Sequence, residues 1–428
     1  MSYHKCPFTY RSLGETQCIV HHSMKHWSAS RGNIAPPRRS SRIVASPNQT
    51  TLYTNVPIET MGSGAKEDFH VAELSRVLRV NGEESLPKFI EPFGLHDFLR
   101  NPFARGESLG ARLCNFADSL VTSFLTPSEL KPSLDPSVVF SGVFAPACET
   151  DPTDCRITYG SIPDDLNGVY LRNGPNAAVM HRGDGIHFFD GDGMIHAVRV
   201  RNGSASFCSR FVQTSRFRQE RAAGRPLFPK ILGGMHGLSG AARVLISGLR
   251  VAFGLLDVSH GVGVSNINVA FFNGHILSLC QDDMPYILRV TDDGDVLTLR
   301  QFKLPSRFNM CPHPKIDPVS GEMYAHSLQF WFPIHYSLFR VPAAADDDDA
   351  CCVPLMEVPV PPLNIPVVHD FAITQRFIIF PDNQIVFRVG DITKGVTPLG
   401  CDPNKTGRFG LLPRDVVAGD PAPRPQPQ

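Results

Sequence analysis

Residues 267–280 read INVAFFNGHILSLC: an apolar run over 267–272, the dipeptide Asn273-Gly274, and a second apolar run over 275–280. Two such runs around Asn-Gly predict a β-hairpin, because both central residues of a type I′ turn need positive φ. The same reading extends outward in both directions. Met194 to Val200 and Ala205 to Val212 flank Asn202-Gly203, and Tyr286 to Val290 and Val296 to Phe302 flank Asp293-Gly294. Repeated hairpins from about Gly160 onward predict an all-β sandwich, barrel or propeller. No clean sequence repeat chooses among the three.

Composition narrows the function classes. The chain has 428 residues, with 41 Lys plus Arg against 41 Asp plus Glu, so its formal charge is zero. A nucleic-acid binder driven by bulk basicity is excluded, since phosphate binding needs a local excess of cations. No run of about 20 uncharged apolar residues occurs, so no spanning helix is expected. The 11 cysteines are scattered, without a CxxC pair. That scatter predicts reduced, mostly buried thiols in an intracellular compartment, and no zinc site.

The flanks differ from the strand-rich centre. Residues 1–50 are rich in Arg and Ser and contain one acidic residue, Glu15. This is the composition of an organellar transit peptide. Residues 51–135 read as a partly helical extension. Its periodic segments are Glu73 to Val80 and Leu109 to Phe124, the second with Leu109, Leu113, Phe116, Leu120 and Phe124 near one face. Such a stripe predicts core packing. Residues 136–413 hold the strands, interrupted by Gly233 to Leu256. There Leu238, Leu245 and Leu249 share a helical face with Ala252 and Leu256, and Phe253 follows. That helix either packs internally or lies in a membrane surface. The run Asp346 to Asp349 predicts a solvated loop tip. Residues 414–428 are a Pro-rich tail.

Local catalytic signatures are missing: there is no GxSxG, P-loop, HExxH or strand-to-helix GxGxxG. Two histidines stand out by context. His313 lies in NMCPHPKIDP and His369 in VVHDFAIT, each opening an apolar, strand-like run. A lone histidine of this kind is more often a hydrogen-bonded structural residue than a ligand. Spacing alone cannot pair them.

Six ordered strings carry a resemblance. GSIPDDLNGVYLRNGPN at 160–176, FDGDGMIH at 189–196, HPKIDP at 313–318 and HDFAIT at 369–374 resemble the carotenoid cleavage dioxygenases. GMHGL at 234–238 and DPNKTGRFGLLP at 402–413 look most like the plant plastid branch of that family. The resemblance implies a seven-bladed β-propeller with iron(II) on its axis, held by four histidines. It implies insertion of dioxygen across a conjugated double bond of a carotenoid or apocarotenoid, with release of two carbonyl products. His313 and His369 match the first two ligands. Neutral imidazoles suit divalent iron. The segment holding Leu238, Leu245, Leu249 and Phe253 matches an apolar patch that dips into the membrane where the substrate dissolves. Plastid location, at a membrane or plastoglobule surface, is the implied address, and no nucleic acid is implied.

The resemblance also implies departures. Family members place a glutamate just before an Asp-Leu-Pro-Tyr turn, where it orients the first iron histidine. Here Gln281 stands in its place, so the neutral amide is expected to support His313 less strongly. The family's other two ligand histidines follow a motif like Arg408 to Pro413, and this chain leaves the pattern near Val417. The expectation is an incomplete propeller with weak iron binding and little cleavage activity. The competing expectation is an inactive remnant that holds carotenoid or lipid.

Overall fold

Strand ladders make up most of the regular structure among the described residues. The computed structural model describes residues 89–90, 108–125, 134–181, 185–235, 237–302, 304, 309–329, 333–343, 352–394 and 397–415. By contact the chain divides into Met1–Val20 with Ser85–Gln428, and His21–Glu84. The described residues all belong to the first unit. The transit segment at 1–50, the helix at 73–80, the acidic run at 346–349 and all but the start of the tail lie outside them.

A short parallel ladder pairs β1 (Phe89–Ile90) with β4 (Met180–His181). Besides it there are three four-stranded antiparallel sheets, each a local meander or close to one. The first joins β2 (Thr150–Asp154), β6 (Ser204–Phe211), β5 (Asp192–Arg201) and β3 (Gly168–Asn176) in that order. The second runs consecutively through β7 (Asn268–Phe272), β8 (His275–Leu279), β9 (Tyr286–Val290) and β10 (Val296–Gln301). The third runs through β11 (Lys315–Ile316), β12 (Met323–Gln329), β13 (His335–Val341) and β14 (Val353–Pro359). Two three-stranded sheets follow. One is β15 (Asn364–Pro366), β18 (Ile385–Arg388) and β19 (Leu399–Cys401); the other is β16 (Ala372–Ile373), β17 (Phe377–Asp382) and β20 (Arg408–Pro413). The all-β expectation holds.

Turn chemistry explains where the strands reverse. Asn202 and Gly203 have φ of 49° and 72°, and Asn273 and Gly274 have 46° and 79°. Both dipeptides therefore take the left-handed pair that a two-residue hairpin requires. The Asp293-Gly294 turn is different. Only Gly294 is left-handed, at φ 93°. Gly294 N–H donates to Thr291 O at 3.0 Å, and Thr291 N–H donates to Asp295 O at 2.9 Å. The loop has three residues, so a type I turn closed by a left-handed glycine replaces the expected type I′ turn.

Two apolar clusters join the sheets. Leu171, Ile195, Ala197 and Cys208 of the first sheet pack on Val269, Leu288 and Val296 of the second. A larger cluster unites Leu277, Leu279 and Ile287 with Met323, Phe339, Val341, Ile378 and Leu412. Strand β12 is buried on both faces, so Met323, Tyr324, Ala325, His326 and Ser327 show no alternation. Burying one large side chain such as Phe339 stabilises by about 1.5–3 kcal/mol relative to exposure. The last sheet is one-sided. Ile378 and Leu412 face the core, while Phe409 and Leu411 on the other face are 75% and 63% exposed.

The seam between the first two sheets is made by backbone. Gly193 N–H donates to Val264 O at 2.8 Å. A Cβ at Gly193 would lie 2.0 Å from Ser265 O. Asn173 spans the same seam, donating from Nδ2 to Ser265 O at 2.9 Å and to Asn268 O at 3.1 Å.

Helix α1 (Leu109–Leu120) starts at Ser108, whose Oγ accepts from Ala111 N–H at 3.2 Å. The chain continues in a π turn over Val121–Leu125. The apolar stripe does not pack inward as expected. Leu109, Leu113 and Phe124 are exposed, and the buried residues are Cys114, Asn115 and Ser119. The reason lies in the partner helix, named here α4 (Gly237–Ala252), which follows the short helices α2 (Pro136–Val139) and α3 (Ser215–Ala223). Ile246 of α4 meets Cys114 and Val121, and Arg250 pairs with Asp118. Burying that ion pair turns the leucines outward. Cys114, Cys208, Cys280 and Cys311 are free and buried.

Candidate metal centre

His313 stands just before β11 and His369 just before β16, so each opens the first strand of its own sheet. Pro312 and Pro314 flank His313, fix φ on both sides and contribute no N–H. Behind it, Cys311 N–H donates to His326 O at 2.8 Å, which ties the segment to β12. The segment before His369 is held by Tyr336 of β13. The Tyr336 hydroxyl donates to Pro366 O at 2.7 Å and accepts from Val368 N–H at 3.2 Å.

These supports bring the two rings together. His313 Nε2 lies 3.2 Å from His369 Nε2, with ring planes inclined at 75°. At a bond of about 2.1 Å, two imidazole nitrogens bound cis to one divalent ion sit about 3.0 Å apart. The pair fits two adjacent positions of a coordination sphere. Burial pushes both imidazoles below their usual range, and His313 is lowered further by His369. Both rings are therefore neutral at pH 7, the form that lends a lone pair to a metal. Among the described residues, no cluster of three or more His, Cys, Asp or Glu joins them.

Gln281 follows β8 and reaches the pair from behind. Its Oε1 lies 3.1 Å from His369 Nδ1, and its Nε2 donates to Val368 O at 2.9 Å. The expected partner was His313, and the structure gives His369 instead. The Gln281 amide bridges Val368 O and His369 Nδ1, both just before β16, so it is held on the His369 segment. His313 has another neighbour: Asn268 Nδ2, at 3.4 Å from its Nδ1. Asn268 was not anticipated. It belongs to the opening hairpin, and no local pattern in 267–280 points to a histidine 45 residues away. Lys315 and Asp370, one residue or two beyond each histidine, form an ion pair at 2.6 Å.

Leu238, Leu245, Leu249 and Phe253 are all exposed, Leu245 to 66%. The Phe253 ring lies 3.3 Å from where a Cβ on Gly110 would stand, so α1 and α4 share this surface. Among the described residues, no helix is long and apolar enough to cross a membrane.

The sheet-rich fold is similar to that of a solved structure. Lignostilbene dioxygenase from Pseudomonas brassicacearum matches with a TM-score of 0.50 and 23% identity, over 67% of this chain and 55% of that one. Residues 144–426 match the family described as Retinal pigment epithelial membrane protein, and the chain belongs to that family. It is 35% identical over 350 residues to the probable carotenoid cleavage dioxygenase 4, chloroplastic, of Arabidopsis thaliana, covering 79% of this chain and 57% of the relative. It is 38% identical over 317 residues to the 9-cis-epoxycarotenoid dioxygenase NCED1, chloroplastic, of Oryza sativa subsp. japonica, covering 72% and 48%. The chain spans about half the length of these curated relatives.

Proposed function

We propose that this chain carries iron(II) between His313 and His369 and cleaves a conjugated double bond of a carotenoid or apocarotenoid with dioxygen. The products are two carbonyl compounds. The observation that carries this reading is the 3.2 Å approach of the two Nε2 atoms, each on a neutral ring. Iron(II), when bound, supplies the activation of dioxygen that no side chain can provide. The chain's own residues hold and orient. His313 and His369 present nitrogen, Gln281 fixes the ring of His369, and Tyr336 fixes the backbone leading into it.

The architecture we assign is the seven-bladed propeller of the carotenoid oxygenase type, of which this chain, spanning about half the length of its relatives, supplies a part. The apolar outer face of β17 and β20, with Phe409 and Leu411 exposed, suits a further sheet packed on it. The exposed face of α1 and α4 suits a lipid surface, where a carotenoid dissolves. The chloroplastic names of the relatives support a plastid location, and residues 1–50 would supply the targeting.

The test is anaerobic loading with ferrous iron, followed by metal analysis and product chromatography with β-carotene and an apocarotenal. Iron uptake that is lost in His313→Ala and His369→Ala, together with aldehyde products, is the expected result. Iron content unchanged by both substitutions would overturn it. A second reading, an inactive carotenoid or lipid binder, draws on one observation. Among the described residues, no third metal-ligating side chain joins the pair. Carotenoid retained by chain that takes up no iron would favour it.

A further inference from the structure

We propose that Asn268 holds His313 in the tautomer that cannot bind metal, so that His369 is the preset ligand and His313 joins only after its ring proton moves from Nε2 to Nδ1. This rests on the metal reading above and concerns the order in which the two rings engage.

The direction of each hydrogen bond is set by backbone groups. Gln281 Nε2 donates to Val368 O at 2.9 Å, which leaves Oε1 facing His369 Nδ1 at 3.1 Å. An amide oxygen can only accept, so the proton of His369 sits on Nδ1 and its Nε2 is bare. Asn268 is fixed the opposite way round. Its Nδ2 donates to Pro312 O at 2.9 Å, and its Oδ1 accepts from Val269 N–H at 2.8 Å. The group it turns toward His313 Nδ1, at 3.4 Å, is therefore the donor Nδ2.

A donor facing Nδ1 calls for a lone pair there. The single proton of neutral His313 then sits on Nε2, which lies 3.2 Å from the bare Nε2 of His369. All the protons point one way, from Asn268 to His313, from His313 to His369, and from His369 to Gln281. Metal-binding histidines almost always donate their outer N–H to an acceptor, and His369 does so. His313 meets a donor instead. Binding a metal at its Nε2 moves the proton to Nδ1 through solvent, with no net change in charge, and sets an N–H against the Asn268 amide. Asn268 is thus a positioning residue that opposes loading at one ligand, while Gln281 favours it at the other.

The experiment is long-range proton–nitrogen NMR of the histidine rings in the metal-free chain, assigned with His313→Gln and His369→Gln. It is paired with cobalt(II) titrations of the wild type, Asn268→Ala and Gln281→Leu. Expected are an Nε2–H tautomer for His313 and an Nδ1–H tautomer for His369. Removing the opposing donor in Asn268→Ala is expected to tighten cobalt binding about two- to tenfold, the worth of one neutral hydrogen bond. Gln281→Leu is expected to weaken it about 10–100-fold. An Nδ1–H tautomer for His313 in the metal-free chain would overturn the inference, as would Asn268→Ala that leaves cobalt affinity unchanged or lower. No cobalt uptake by the wild type would sink the metal reading, while the ring spectra alone would still decide the tautomer.

Discussion

Lys315 Nζ lies 2.6 Å from Asp370 Oδ1, so an ion pair ties the segment that carries His313 to the segment that carries His369. Lys315 also lies 5.8 Å from the centre of the Phe371 ring. The side chains are partly exposed, so the pair adds little to global stability, typically below about 1 kcal/mol. Its effect belongs to geometry. A double-mutant cycle on Lys315→Met and Asp370→Asn is expected to show that each single change loosens cobalt binding and that the double change is no worse than either. Strictly additive losses would mean that the two residues act separately.

Tyr336 is expected to matter more. Its hydroxyl serves both Pro366 O and Val368 N–H, the backbone groups that set the approach to His369. Tyr336→Phe leaves the buried N–H of Val368 without its hydroxyl partner, at about 1–3 kcal/mol. Urea unfolding should show that loss, and metal affinity should fall with it. Full metal affinity in a destabilised variant would confine Tyr336 to the core.

The buried imidazole of His326 gives a pH signature. It packs edge-on among the rings of Tyr336, Phe371 and Phe380, and among the described residues its Nε2 has no hydrogen-bond partner. Burial pushes its pKa down to about 3. In the unfolded chain the same group takes up a proton near pH ~6.5. Between these values the unfolded state binds more protons, so stability falls as pH drops from ~6.5 toward 3. Asp283 acts in the opposite sense: burial raises its carboxyl to about 7, so its contribution is lost as pH rises toward 7. His326→Phe should narrow the gap between urea midpoints at pH 4 and pH 6.5. An unchanged gap would assign the acid loss to other groups.

The surface shared by α1 and α4 is open to a direct test. Replacing Leu245 and Phe253 with Asp puts two charges on residues that are already exposed, so folding should be little affected. Sedimentation with vesicles of neutral galactolipid is expected to fall at least tenfold, a loss of about 1.4 kcal/mol or more. Equal sedimentation of the two proteins would remove this surface from any role at a membrane.

Much of the fold was legible because hairpin chemistry is local. Asn202-Gly203 and Asn273-Gly274 carry their turn type in two letters. Asp293-Gly294 was legible as a reversal but not as a type, since Thr291 and Asp295 pair and lengthen the loop. The α1 stripe was misread because periodicity reports which residues share a face, not which face is covered. Arg250 decides that from 132 positions away, by pairing with Asp118. The histidine pair lies 56 positions apart and met the eye only through family resemblance. Asn268 and Tyr336 reach the pair across sheets, and a contact of that kind leaves no trace in a linear pattern.

Gly193 has a genetic consequence. The obstacle to any side chain there is the carbonyl of Ser265, a backbone atom that every residue at 265 would also carry. No second-site change of a side chain can clear it. A suppressor screen begun from Gly193→Ala should therefore return reversions to glycine and little else. In a saturation library the position should hold one letter, whatever happens to the chemistry of the histidines.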